Sequence, residues 1–91
     1  MAIIIYSLTN CPKCAAAKAV LKRNSIPFEE KNIDEGEENK KELASKLEEK
    51  GMPEAEVNMP VLDIEGTILE GFDKEKMLAT LKEKGFLKES P

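Results

Sequence analysis

Cys11 and Cys14 are the only two cysteines in a chain of 91 residues, and they stand three positions apart. A random pair falls at that spacing roughly one time in fifty, so the C-x-x-C pattern points to paired chemistry. Two such thiols can act in turn on a disulfide. One attacks as the thiolate and forms a mixed disulfide; the other then attacks the first and releases the substrate. The same pair can hold a soft metal. It cannot complete a structural zinc site, which takes four ligands, or supply the several bridges of a small secreted scaffold. Histidine is absent, which removes every Cys–His dyad, every Ser–His–Asp triad and every imidazole-ligated metal centre.

Position decides which thiol attacks. Cys11-Pro12-Lys13-Cys14 leads into Ala15-Ala16-Ala17-Lys18-Ala19, a strong helix-forming run. Pro12 suits a first helical turn, where its missing N–H costs nothing. Cys11 then lies where unpaired amides and the positive end of the helix dipole converge, with Lys13 adding a cation. All three favour thiolate over thiol and lower the expected pKa of Cys11. Cys14 is one turn further on and is expected to be more buried. The sequence thus predicts an exposed nucleophile with a resolving thiol behind it.

The flanking elements must hold that turn in place. The β-branched run Ala2–Ser7 predicts a strand buried on both faces. A helix follows from near Cys11, with Ala17, Val20 and Leu21 inward and Asn24 as a left-handed stop. Ile26–Ile33 reads as a weaker strand that Pro27 confines to an edge or an entry position. Asp34 and Glu37 resemble a capping box for a helix that runs to Lys50. Its inner stripe is Leu43, Ala44 and Leu47, and its many Glu and Lys residues form a solvated face. Gly51–Asn58 is an irregular connector. Val61–Ile64 and Thr67–Leu69 form a hairpin across Glu65-Gly66, where glycine supplies positive φ. Gly71-Phe72-Asp73 opens a last helix with Met77, Leu78 and Leu81 on one face and Gly85 at its end. Phe86 and Leu87 cap the core, and the tail from Lys88 frays. The expected fold is α/β, ordered β-α-β-α-β-β-α, with a four-stranded mixed sheet flanked by helices.

Composition sets the bounds. Length allows one domain over residues 1–91, and 41% hydrophobic with 35% charged residues suits a folded globule. The net charge of −4 argues against nucleic acid or an anionic membrane as a partner. No apolar run reaches the ~18 residues of a membrane span. Met1-Ala2-Ile3-Ile4-Ile5 has no basic region before its apolar run, so no secretory signal is expected and the cytoplasm is the expected compartment.

Tyr6-Ser7, Cys11-Pro12-Lys13-Cys14, Asn58-Met59-Pro60-Val61-Leu62 and Glu70-Gly71-Phe72-Asp73 together resemble a glutaredoxin of the thioredoxin-like fold. The resemblance spans nearly the whole chain. It implies a dithiol–disulfide oxidoreductase in which Cys11 is the nucleophile, Cys14 resolves, and Pro12 and Lys13 tune the pair. It implies a cis Met59–Pro60 peptide that turns the Met59 backbone toward a substrate chain. It also implies that Gly71, Phe72 and Asp73 offer backbone N–H groups to a glutathione carboxylate, while Asp73 alone reads equally well as a helix cap. The expected partners are disulfide-containing proteins, with glutathione or a flavoprotein of the thioredoxin-reductase type as electron donor. No tightly bound cofactor or metal is expected, and glutathione is a candidate co-substrate.

Four departures from the family pattern bear on the donor. Lys13 replaces the usual aromatic, Glu70-Gly71 a double glycine, Leu8 a cation, and Lys74 an acidic residue. They predict weak glutathione binding and leave the thiol chemistry untouched. Leu8, Val57, Met59 and Phe72 form an expected apolar rim for a protein partner. The alternative reading is a metal or iron–sulfur carrier that uses the same two cysteines, which would need a dimer or further thiols to reach four ligands.

Overall fold

The computed structural model describes residues 3–52 and 58–86. Its elements follow the expected order: β1 (Ile3–Ser7), α1 (Pro12–Arg23), β2 (Glu29–Asn32), α2 (Glu37–Glu49), β3 (Val61–Ile64), β4 (Thr67–Glu70) and α3 (Lys74–Glu83). The sheet is four-stranded in the order β2-β1-β3-β4, with β1 parallel to β2 and antiparallel to β3. This is the mixed α/β arrangement expected from a parallel βαβ half joined to an antiparallel hairpin.

Side-chain alternation along β1 assigns the helices to faces. Ile3 and Ile5 point into a core shared with Ala17, Val20 and Leu21 of α1 and with Met77 and Leu81 of α3. Tyr6 points the other way and packs with Leu43 and Leu47 of α2 and with Val61. Helices α1 and α3 therefore cover one face and α2 the other. The central strand is buried on both sides, which is why it reads as an unbroken apolar run.

Polar contacts supplement the thin apolar stripe of α2. Tyr6 donates its hydroxyl to Glu42 at 2.6 Å, and Lys31 pairs with the same carboxylate at 2.7 Å. Burial, reinforced by the Glu42 hydrogen bond, pushes the Tyr6 hydroxyl far above its usual titration range. Lys46 pairs with Asp63 at 2.7 Å and lies 5.0 Å from the centre of the Tyr6 ring. Pairs as exposed as these contribute up to ~1 kcal/mol each, so they orient α2 more than they stabilise the fold.

Three local expectations need correction. Asn24 is not left-handed: its φ is −95°, and Ser25 takes the left-handed position at φ 55°. The turn closes with Ser25 N–H donating to Lys22 O and Ile26 N–H to Leu21 O, a Schellman motif that draws Ile26 into the core. Ile26 consequently belongs to the helix end, and β2 begins only at Glu29. Asp34 does not cap α2. Gly36 holds that position without a side-chain hydrogen bond, and Asp34 instead accepts from the Thr9 N–H at 2.9 Å. In the hairpin both Glu65 and Gly66 have positive φ, and the Asp63 carboxylate accepts the Gly66 N–H at 2.8 Å. Phe86 packs against the core as expected. Ala2, Pro53, Leu87 and the tail after it lie outside the described residues.

Candidate active site

Three chain segments meet at one end of the sheet. Strand β1 ends at Ser7 and leads through Leu8-Thr9-Asn10 to Cys11. Tyr6 pairs with Val61, so Pro60 lies at this same end. Val61 pairs with Glu70, which brings Gly71 there too. The Gly71 N–H donates to both Asn58 O and Pro60 O at 2.8 Å, tying the segment before β3 to the turn before α3. Gly71 has φ 71°, where any side chain would strain the backbone.

The loop before the cysteines is anchored separately. Asp34 accepts the Thr9 N–H, and the Asp34 N–H donates to Asn32 Oδ1 at 2.8 Å. Asn10 then adopts a left-handed φ of 55°, a conformation asparagine tolerates well. That turn sets Cys11 in an extended conformation at the N-cap of α1, with Pro12 as the first helical residue. A cysteine thus fills the role usual for Ser, Thr, Asp or Asn: its Sγ accepts the Cys14 N–H at 3.2 Å.

The two thiols differ as expected in exposure. Cys11 is half-buried, whereas Cys14 is only 1% exposed. Burial pushes the Cys14 thiol up to about 11, and its hydrogen bond with Cys11 adds to the rise. The Leu8 main chain and the Lys18 charge pull in the opposite direction. An open groove runs over the pair, walled by Leu8, Asn10, Pro12, Ala15 and Lys18. Pro12 and, next to it in the chain, Lys13 are exposed.

The other predicted residues take distinct places. The Met59–Pro60 peptide is cis, with Pro60 buried and Met59 half-buried against the α2-side core. Phe72 packs against the α1–α3 core. Asp73 caps α3 by accepting the Lys76 N–H at 3.1 Å. With the Gly71 N–H committed to two carbonyls, the turn retains the amides of Phe72 and Asp73, neither of which faces an acceptor among the described residues. Leu8, Met59 and Phe72 are half-buried, and Val57 lies outside the described residues. Among the described residues no group of three or more metal-ligating side chains comes together, and no helix is long and apolar enough to cross a membrane.

Sequence reasoning missed the polar support beneath the groove. Ser7 is buried and donates its hydroxyl to Glu30 at 2.8 Å, and Glu30 pairs with Lys18 at 2.8 Å. The available signal was the inward row Ile3, Ile5, Ser7, which ends in a hydroxyl where alternation calls for another apolar residue.

Comparison with known proteins agrees with this geometry. The glutaredoxin family model matches residues 3–68. An uncharacterized glutaredoxin-like 8.6 kDa protein in a rubredoxin operon of Clostridium pasteurianum is 32% identical over 75 residues, covering 82% of this chain and 91% of that one. The glutaredoxin crystal structure from Archaeoglobus fulgidus superposes with a TM-score of 0.71 at 28% identity, covering 88% of this chain and 85% of that one. The NrdH-redoxin of Escherichia coli, described as glutaredoxin-like with a thioredoxin-like activity profile, shares the fold at a TM-score of 0.67 and 24% identity over the full length of both chains. On its sequence match and its thioredoxin-like architecture, this chain belongs to the glutaredoxin family.

Proposed function

We propose that this protein is a dithiol–disulfide oxidoreductase of the cytoplasm that reduces protein disulfides or mixed disulfides with glutathione. The Cys11 thiolate attacks a substrate disulfide, forms a mixed disulfide and expels one substrate thiolate. Cys14 then attacks Cys11 Sγ, expels the second substrate thiolate and leaves a Cys11–Cys14 disulfide for a reductant to reopen. The observation that carries this reading is the N-cap geometry. The Cys14 N–H points at the half-buried Cys11 sulfur, at the helix end that favours negative charge, with the second thiol buried behind it.

Met59 would supply backbone pairing to an extended substrate chain, and the amides of Phe72 and Asp73 would meet a glutathione carboxylate. Lys13, exposed between the two cysteines, would meet the other carboxylate. Glutathione and a flavoprotein reductase both fit as donors. The departures at Leu8, Lys13, Glu70 and Lys74 favour the protein reductase. No resident cofactor is needed for this cycle.

The test is a pair of single substitutions. Cys11→Ser should abolish disulfide reduction, and Cys14→Ser should accumulate a mixed disulfide visible by mass spectrometry. Activity retained in Cys11→Ser would reject the assignment. Colour or bound metal in the purified protein, with no reductase activity, would favour the metal or iron–sulfur carrier instead.

A further inference from the structure

We propose that Lys18, anchored by Glu30 and through it by Ser7, is the positioning residue that lets Cys14 attack the mixed disulfide near neutral pH. The inference rests on the oxidoreductase reading of the same cysteines. Lys18 follows Cys14 by four residues on α1, so both lie on one face of the helix, and both border the groove over Cys11. The Lys18 ammonium meets a carboxylate on this side of the sheet: Nζ is 2.8 Å from Glu30 Oε2. The same oxygen accepts the Ser7 hydroxyl at 2.8 Å. Ser7 is itself 1% exposed, so the carboxylate is fixed from beneath by a buried donor on the central strand.

This ion pair differs from the other two found among the described residues. Lys31–Glu42 and Lys46–Asp63 lie on the α2 face of the sheet, where they orient a helix. Lys18–Glu30 lies on the α1 face beside the thiols. The Lys18 hydrogen bond, and after it that of Ser7, holds the Glu30 carboxyl below the usual range, so it stays anionic at neutral pH, with Lys22 acting in the same direction. Cys14 has the opposite problem. It must lose a proton inside a buried site that resists a charge. The Leu8 main chain and Lys18 oppose the rise.

The assisted step balances without a further reactant. The Cys14 thiol gives its proton to solvent, and its sulfur attacks Cys11 Sγ. The Cys11–substrate S–S bond breaks, the Cys11–Cys14 bond forms, and the substrate thiolate leaves with the electron pair. Lys18 stays protonated throughout and stabilises the transient Cys14 thiolate.

Stopped-flow reaction of the reduced full chain with Ellman's reagent reads the two steps separately. The first thionitrobenzoate reports attack by Cys11, and the second reports resolution by Cys14. Lys18→Gln should slow the second release about 3- to 10-fold at pH 7, with the gap closing as the pH rises toward 11. Lys18→Arg should retain most of the rate, and Glu30→Gln should fall between. The first release should change less than about twofold. An unchanged second release, or a slowing by one constant factor at every pH, would overturn the proposal, because a merely structural role has no such pH profile. Thiolate absorbance at 240 nm in a Cys11→Ser background gives an independent readout: Lys18→Gln should raise the Cys14 titration midpoint by roughly 0.5–1 in pH. A midpoint that stays put also overturns it. If the unsubstituted protein releases no second equivalent, the oxidoreductase reading fails, and the titration alone decides the coupling of Lys18 to Cys14.

Discussion

Reduced protein should lose stability as the pH rises from 9 toward 11, and Cys14 should account for a measurable share of that loss. The buried thiol holds its proton up to about 11, against 9.0 for an ordinary cysteine thiol. Between those values the unfolded chain has released the proton and the folded chain has not. Unfolding therefore releases a proton, and stability falls with pH by at most about 1.4 kcal/mol per pH unit. Over the two-unit window the contribution is about 3 kcal/mol, present in full below pH 9 and lost as the pH passes through 11.

Tyr6 acts in the same sense, because its hydroxyl is also pushed up by burial, so the raw slope is not diagnostic. The difference between the parent protein and Cys14→Ala removes that background, since the Tyr6–Glu42 contact lies on the opposite face of the sheet. Urea unfolding in the presence of a phosphine reductant at pH 7.5, 9, 10 and 11 gives the two stability curves. They should converge with rising pH as Cys14 loses its advantage. Parallel curves across the window would refute the claim that burial holds Cys14 protonated.

Two further predictions concern the helix end and the electron donor. Ser25 carries a left-handed φ of 55° at a position where the other two helices use Gly51 and Gly85. Ser25→Gly should stabilise the protein by about 0.5–1 kcal/mol in urea unfolding, and a loss of stability would show that the serine is not strained. Lys74 begins α3, where the family commonly has an acid to meet the glutathione ammonium. Lys74→Asp should lower the KM for glutathione several-fold in an assay coupled to glutathione reductase. Low-micromolar saturation in the parent protein, unchanged by the substitution, would refute the account of the missing acid.

Legibility from sequence followed the range of the interactions. Strand β1, the helix start at Pro12 and the hairpin at Glu65-Gly66 were readable because apolar runs, proline and glycine act through near neighbours. The cysteine spacing was readable for the same reason. Asp34 resembles a cap because the capping-box pattern is local, whereas its carboxylate goes to Thr9, 25 residues away. Asn24 and Ser25 compete for the left-handed position in the sequence, and the turn falls at Ser25, with Ile26 in the core. Ser7, Glu30 and Lys18 come from three elements, so no spacing rule brings them together.

The arrangement explains how a chain can depart from its family at the mouth of the site and still keep the site. Of the residues that differ, Lys13, Glu70 and Lys74 carry exposed side chains, and only Leu8 is half-buried. The contacts that set the frame are main-chain or buried: the Gly71 N–H on Asn58 and Pro60, the Thr9 N–H on Asp34, and the Cys14 N–H on Cys11. Substitution at the exposed positions alters charge around the groove at little cost to folding, since surface changes away from such contacts usually stay within about 0.5 kcal/mol. Substitution at Gly71 is different, because a side chain there strains the backbone and loosens the turn that holds the segment before β3. On the proposed oxidoreductase reading, donor preference can therefore drift by single exposed residues, while the two cysteines stay pinned by main-chain and buried contacts.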